Sequence, residues 1–284
     1  MSKYLITNAD DFGYNPQQNE AIKELLTNKL ISSTSVLAVA PEFKDAADWL
    51  KKNGISAGGH LTINSDEAAN PWKSLTGAKS LGNNGALFSN SKDITLHTRH
   101  RDVRRELEAQ YTALRANGVK VDHADNHSGT LYGLNLRRFY VEAYDFCALH
   151  NLPYRFPKRP DFIERQLGRK VPSVLLKFHA HLVNKALKQK VMLIDDLITN
   201  PWDMSRITSR EVLSEYYINA VRNCGEGITE LFMHPAKPQS SEITPWTKRV
   251  YEYEILKSGV LLKIAKEEGI EIISWSDVPD ILRN

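Results

Sequence analysis

Short β-rich segments alternate with amphipathic segments of helical period along nearly the whole chain, and this alternation constrains the fold most strongly. Parallel strands need helical crossovers, so six or more β-then-α units predict an α/β protein with a mainly parallel sheet. A short strand begins at Tyr154, and the other predicted strands cover residues 4–7, 35–40, 55–63, 119–124, 191–194, 228–233 and 270–275. The clearest predicted helices cover residues 15–30, 101–116, 135–150, 209–223 and 245–268.

The length of the chain narrows this class further. With 284 residues and no internal repeat or dividing linker, the chain favours a closed or incomplete barrel over a doubly wound sheet. We therefore predict a single irregular (β/α) barrel over residues 1–284, with loop insertions near 64–98 and 157–190. Active sites of such barrels lie at the C-terminal ends of the strands, so those positions supply the candidate functional residues.

Charge, hydropathy and cysteine content exclude several classes of protein. The net charge of +3 is too small to indicate nucleic acid binding, and apolar runs such as residues 36–40 are far shorter than a membrane span. Cys147 and Cys224 lie far apart, which argues against a disulfide framework and against a thiolate zinc site. The first residues lead into a strand without a signal peptide, so we expect a cytoplasmic protein.

Two adjacent carboxylates, Asp10 and Asp11, directly follow the first predicted strand. Side by side at the mouth of a barrel they repel each other unless a cation or a proton intervenes. Alternatively, one of them caps the following helix and the other belongs to a turn, which Gly13 makes plausible. The spacing alone leaves both interpretations open.

Histidines end three further predicted strands. His60 follows Gly58 and Gly59, which permit a close approach of backbone or ligand, although a lone strand histidine is more often an ordinary core residue. His127 lies in a segment rich in ligand-type side chains, and His234 ends a strongly apolar strand. Core packing explains three histidines and a carboxylate pair at four strand ends poorly. One Asp with two His would form a divalent metal site with positions open for water.

These strand-end residues resemble the YdjC-like carbohydrate deacetylases, a family that includes the chitooligosaccharide deacetylases. The matching segments occur in the family's order and spacing across nearly the whole chain: Asn-Ala-Asp-Asp-Phe-Gly at 8–13, Gly-His-Leu-Thr at 59–62, Asp-Asn-His at 125–127 and Met-His-Pro-Ala at 233–236. The opening segment is fairly specific, whereas the His-Pro pair alone is weak. One departure is Ser-Gly-Thr-Leu-Tyr-Gly at 128–133, where many members carry further histidines.

The resemblance implies a fold, a chemistry and a set of site residues. It implies an irregular (β/α) barrel, often a homodimer, that uses Mg²⁺ to remove the acetyl group from an N-acetylated sugar or oligosaccharide. By position, Asp11, His60 and His127 would hold the metal. Asp10 would be the general base and His234 the general acid. Two imidazole ligands, in contrast, favour Zn²⁺.

Two other functions compete with this interpretation. A metal-dependent phosphoesterase would share the metal site, but these strand ends carry no arginine cluster and no glycine-rich phosphate loop. A non-catalytic sugar-binding barrel would not require a base and an acid beside the metal, and both Asp10 and His234 are present.

Overall fold

A computed structural model of the chain describes residues 2–133, 137–239 and 244–283. The strands are β1 (Lys3–Phe12), β2 (Ser33–Val36), β3 (Ser56–Leu61), β4 (Gly82–Asn83), β5 (Ala86–Leu87), β6 (Lys120–Asn126), β7 (Tyr154–Pro157), β8 (Leu193–Ile194), β9 (Asp196–Ile198), β10 (Gly227–Met233) and β11 (Glu271–Ile272). The helices are α1 (Pro16–Thr27), α2 (Phe43–Asn53), α3 (Ser91–His97), α4 (His100–Ala116), α5 (Tyr140–His150), α6 (Asp161–Leu167), α7 (Ser173–Lys188), α8 (Arg210–Arg222), α9 (Thr247–Lys257), α10 (Val260–Glu267) and α11 (Val278–Ile281).

The central sheet is parallel, as the alternation of strands and helices predicts. Its strand order is β8-β7-β6-β3-β2-β1-β10-β9, and β11 also pairs with β1. The predicted α/β class is therefore confirmed. Among the described residues, β4 and β5 form a separate antiparallel pair.

The first and last strands in this order, β8 and β9, are consecutive in the chain and are separated by one residue, Asp195. Strand β8 pairs with β7, and β9 pairs with β10. The Asp195 amide donates a hydrogen bond to the Ile228 carbonyl oxygen (2.8 Å), while the Asp195 carbonyl oxygen accepts one from the Arg159 amide (3.0 Å). One short segment thus contacts the strands at both ends of the sheet.

Apolar side chains pack the strands against the helices in separate buried clusters. On β1, Leu5 and Phe12 belong to a large buried cluster that also includes Ile22 and Leu25 of α1. A smaller buried cluster contains Ile6, Ile194, Leu197, Ile228, Ile273, Trp275 and Val278. The Trp275 indole donates a hydrogen bond to Glu230 Oε1 (3.2 Å), so this apolar cluster adjoins a group of buried charges.

Several local predictions are wrong. Strand β1 extends to Phe12, so Asp10 and Asp11 lie inside it, and Asn15 instead caps α1 by accepting a hydrogen bond from the Gln18 amide. The predicted helix over residues 245–268 is two helices, because Gly259 adopts a positive φ of 70° between them.

Both predicted insertions contain secondary structure of their own. The segment 64–98 contains the β4–β5 pair and α3, and the segment 157–190 contains α6 and α7. The predicted helix over 135–150 starts in residues outside the described ones, and its described part is α5. In the part of the chain that the structure describes, no helix is both long and apolar enough to cross a bilayer.

The first prediction concerns the close approach that Gly58 permits. A Cβ atom there would lie 2.3 Å from the His123 ring, which is fully buried and stacks on Trp275 at 4.5 Å. Gly58→Ala should lower the free energy of unfolding by about 1–3 kcal/mol, because overpacking forces such a ring to move. Urea denaturation measures the loss. Gly59→Ala is the control, since its Cβ would meet methyl groups of Leu114 and Leu61 at 3.3 and 3.7 Å, without the severe overlap at Gly58. Equal losses in both variants would contradict this account.

Candidate active site

An irregularity in β1 brings two neighbouring carboxylates to one site. Neighbouring residues of a regular strand point to opposite faces. Here the pairing of β1 with β2 shifts register between Ala9 and Phe12, and Asp11 has a positive φ of 67°. Such bulges redirect side chains and are frequent next to active sites. Asp10 and Asp11 are consequently both buried among the same polar residues.

Asp11, His60 and His127, the residues that the family resemblance implies as metal ligands, lie close together. Asp11 Oδ1 lies 3.3 Å from His60 Nε2 and 3.2 Å from His127 Nδ1, and the two ring nitrogens are 3.2 Å apart. All three side chains are buried. Strand β3 positions His60, while His127 begins the turn that follows β6.

In each histidine, a carboxylate contacts the ring nitrogen that points away from Asp11. Asp125 Oδ1 lies 2.7 Å from His60 Nδ1, and Asp66 Oδ1 lies 2.9 Å from His127 Nε2. Since a carboxylate accepts the ring N–H, a neutral ring then presents a lone pair from its other nitrogen. His60 Nε2, His127 Nδ1 and Asp11 Oδ1 therefore direct three lone pairs at one small space.

This arrangement fits a divalent cation. The donor set of one carboxylate oxygen and two imidazole nitrogens suits a metal such as zinc, and one ligand atom from each residue lies within 4.8 Å of the others. Among the described residues, the buried Asp11 Oδ1 has no hydrogen-bond donor other than these two rings, should they be protonated. Three converging lone pairs repel one another unless a proton or a cation lies between them, so these residues fit a metal ion.

The electrostatics of the three residues reflect their mutual contacts. Burial alone would raise the pKa of Asp11, but His127, His60 and Arg249 together hold that pKa well below its usual range. Burial would lower the pKa of His60, yet the charges of Asp125 and Asp10 raise it well above the usual value. The pKa of His127 is likewise raised, since Asp11 and Asp66 outweigh burial.

A buried arginine, Arg155, contacts three further buried carboxylates. Arg155 of β7 donates from both terminal nitrogens to the Asp10 carboxylate (2.6 and 2.8 Å) and also binds Glu230 (2.7 and 2.9 Å). Its Nη2 lies 2.8 Å from Asp125 Oδ2. Asp10, His60 and Asp125 form a second group with metal-ligand spacing, but the Arg155 guanidinium already supplies a cation there.

His234 lies beside Asp10 immediately after β10. Its Nε2 is 3.9 Å from Asp10 Oδ2, and its side chain is 32% exposed. Its backbone amide donates a hydrogen bond to the buried Glu252 carboxylate (2.8 Å). Burial of the ring, with a contribution from Arg249, lowers the pKa of His234 in spite of the nearby carboxylates. The ring is therefore neutral near pH 7, and its partial exposure lets it reach a bound molecule.

The structure thus brings together all five residues that the sequence singles out, and it adds others that sequence reasoning missed. Arg155 lies between two aromatic residues in a short strand that is otherwise apolar. A charged residue in such a strand is the sequence signal that could have indicated a buried ion pair. Asp66 lies in the long segment after β3, and Arg249 lies in the first turn of α9, where no local pattern distinguishes them.

Known proteins resemble this chain over nearly its whole length. A carbohydrate deacetylase of Enterococcus faecalis is 26% identical over 98% of this chain and 98% of its own. A carbohydrate deacetylase of Listeria welshimeri is 29% identical over 96% of this chain and 99% of its own. The crystal structure of a cellobiose-phosphate cleavage protein from Enterococcus faecalis superposes with a TM-score of 0.73 at 25% identity, covering 98% of this chain and 99% of that protein.

The family comparison agrees with these relatives and with the residues of the site. A model of the YdjC-like protein family matches residues 4–267, which include every candidate residue described above. This chain belongs to the YdjC-like protein family.

Proposed function

We propose that the protein is a metal-dependent deacetylase that removes the acetyl group from an N-acetylated sugar and releases acetate. Relatives named carbohydrate deacetylases align over almost the full chain, which supports the reaction class. The observation that carries the proposal is the convergence of Asp11 Oδ1, His60 Nε2 and His127 Nδ1, with a carboxylate behind each ring.

The proposed cation is divalent and is held by Asp11, His60 and His127. The family resemblance implies Mg²⁺, whereas two imidazole ligands favour Zn²⁺. When bound, a divalent cation at this position lowers the pKa of water and polarises a carbonyl group.

Asp10 is the proposed general base, and its hydrogen bonds identify the oxygen that takes the proton. Each carboxylate oxygen offers about two lone pairs. Oδ1 accepts from Asn8 Nδ2 (2.8 Å) and from Arg155, so both of its lone pairs are engaged. Oδ2 accepts only from Arg155 Nη1 among the described hydrogen bonds, which leaves one lone pair for a proton from the attacking water.

His234 is the proposed general acid for the departing amine. Its lowered pKa keeps the ring neutral near pH 7, so it must gain a proton during the reaction. Asp10 Oδ2 is 3.9 Å from His234 Nε2, so a shift of about 1 Å brings the two atoms to hydrogen-bond distance. The proton removed from water can thus pass to His234 and then to the leaving nitrogen, and Asp10 is regenerated.

We further propose that the sheet closes as an irregular barrel and that residues 1–284 form a single domain. The pairing of the segment around Asp195 with both β7 and β10 supports closure. The candidate residues lie at or just beyond the C-terminal ends of β1, β3, β6 and β10, the end at which parallel barrels carry their active sites.

The second prediction tests the reaction and the role of Asp10. Purified protein supplied with Zn²⁺ or Mg²⁺ should release acetate from an N-acetylated mono- or oligosaccharide. Asp10→Asn should lower kcat by roughly 10²–10⁴-fold, because general base catalysis contributes about that much. Metal content, measured by atomic emission, should stay unchanged in this variant.

Matched controls separate the possible outcomes of this experiment. Asp48→Asn removes an exposed carboxylate that pairs only with Lys44 among the described ion pairs, and it should leave kcat unchanged. Release of phosphate from phosphorylated sugars without acetate release would favour the phosphoesterase alternative. Sugar binding without release of either product would contradict an enzymatic function.

The third prediction concerns Asp125, which contacts His60 and not the proposed metal position. Asp125→Asn should weaken metal binding by about 10–100-fold, because outer carboxylates fix the orientation and basicity of a histidine ligand. Competition with a chromophoric chelator measures the dissociation constant. Asp48→Asn again serves as the control, and unchanged metal affinity in Asp125→Asn would show that His60 does not bind the metal through Nε2.

The fourth prediction is that metal affinity falls as the pH falls through the neutral range. Asp125 and Asp11 raise the pKa values of His60 and His127, so the metal-free rings hold protons up to higher pH than ordinary histidines. A metal must displace those protons, and each one displaced weakens apparent binding by up to about tenfold per pH unit below the pKa. Chelator competition between pH 5.5 and 8 measures this. An affinity that does not vary with pH would contradict imidazole ligation.

A further inference from the structure

Arg249 is fixed against the second oxygen of Asp11. Its Nη1 donates to Asp11 Oδ2 (2.9 Å), and its guanidinium lies 5.5 Å from the ring centroids of both Tyr14 and Trp246. Its backbone carbonyl oxygen accepts a hydrogen bond from the Ala236 amide (3.1 Å), which ties α9 to the segment just after β10. The side chain is only 22% exposed, so its direction is well defined.

This contact directs the two oxygens of Asp11 to different neighbours, and the positive charge beside Oδ2 disfavours a second metal contact through that oxygen. Oδ2 is engaged by Arg249, while Oδ1 faces His60 Nε2 and His127 Nδ1. A carboxylate free to rotate can bind a cation through both oxygens, as it often does with large oxygen-seeking ions. The backbone of Asp11, with its positive φ of 67°, further restricts the orientation of the side chain.

We propose that Arg249 is a positioning residue that restricts Asp11 to one-oxygen coordination and thereby sets the metal preference of the site. One carboxylate oxygen and two imidazoles match the low coordination number of Zn²⁺ and leave an open position. A two-oxygen carboxylate suits ions such as Mn²⁺, which prefer six ligands rich in oxygen. This inference rests on the metal site of the proposed function.

A simpler role for Arg249 is that of a counter-ion for the buried Asp11. Removing a positive charge near a cation strengthens cation binding, and it does so about equally for Zn²⁺ and Mn²⁺ because both carry two charges. The ratio of the two dissociation constants cancels this effect. Only a change in the coordination that Asp11 supplies alters the ratio.

The fifth prediction compares Arg249→Gln and Arg249→Lys with the unaltered protein. The ratio of the Mn²⁺ to the Zn²⁺ dissociation constant, measured by chelator competition, should fall at least tenfold in Arg249→Gln. In Co²⁺-loaded protein, the visible absorption should weaken towards that of six-coordinate Co²⁺, because Asp11 can then bind through both oxygens. Arg105→Gln is the control, since Arg105 is exposed and lies 4.0 Å from its partner Asp102.

Arg249→Lys keeps the positive charge but loses the planar guanidinium, so it should shift the ratio in the same direction by a smaller factor. It also decides the question if Arg249→Gln does not fold, as judged by circular dichroism. An unchanged ratio and an unchanged Co²⁺ spectrum in the folded variants would overturn the inference. Failure of the unaltered protein to bind either ion would instead overturn the metal site itself.

Discussion

The buried guanidinium of Arg155 is the contact on which the rest of the site depends. It lies on β7 and binds carboxylates from three other strands, Asp10 of β1, Asp125 of β6 and Glu230 of β10. Three buried carboxylates without a cation would repel one another and take up protons, because removing charge from water is costly unless it is paired. Burial raises the pKa of Glu230 even with Arg155 present, which shows how strongly the interior opposes charge. Arg155 therefore lets the parallel strands meet around charged residues where an apolar core would otherwise form.

Arg155 also connects the residue proposed for proton transfer with a residue proposed for metal binding. Its contact with Asp10 fixes the oxygens of the proposed base, and its contact with Asp125 lies behind His60, a proposed metal ligand. A change at Arg155 would therefore disturb both proton transfer and metal binding. Arg249 provides a second, separate cation for Asp11. Each of the two adjacent aspartates thus has its own arginine, and this resolves the repulsion that their sequence spacing implies.

The sequence allowed the parallel α/β class to be predicted, and because parallel strands end at one edge of a sheet it also placed the carboxylate pair and the three strand-end histidines near one another. The choice of Asp11, His60 and His127 among them came from the family resemblance. The sequence did not allow the bulge in β1 to be predicted, since a positive φ at Asp11 has no compositional signal when the residue is not glycine. Arg155 was missed because its partners come from residues up to 145 positions away. The helix break at Gly259 had a local signal, a glycine inside a helical pattern, which the apolar periodicity on both sides outweighed.

Asp10 and Asp11 are chemically identical neighbours, so only their surroundings can give them different functions. Both oxygens of Asp10 accept hydrogen bonds from Arg155, and its remaining lone pair on Oδ2 lies towards His234. Asp11 has one oxygen that accepts from Arg249 and one that faces two imidazole nitrogens. The first environment suits the transfer of a proton, and the second suits the ligation of a cation. The bulge makes this division possible, because a regular strand would have pointed one of the two carboxylates away from the site.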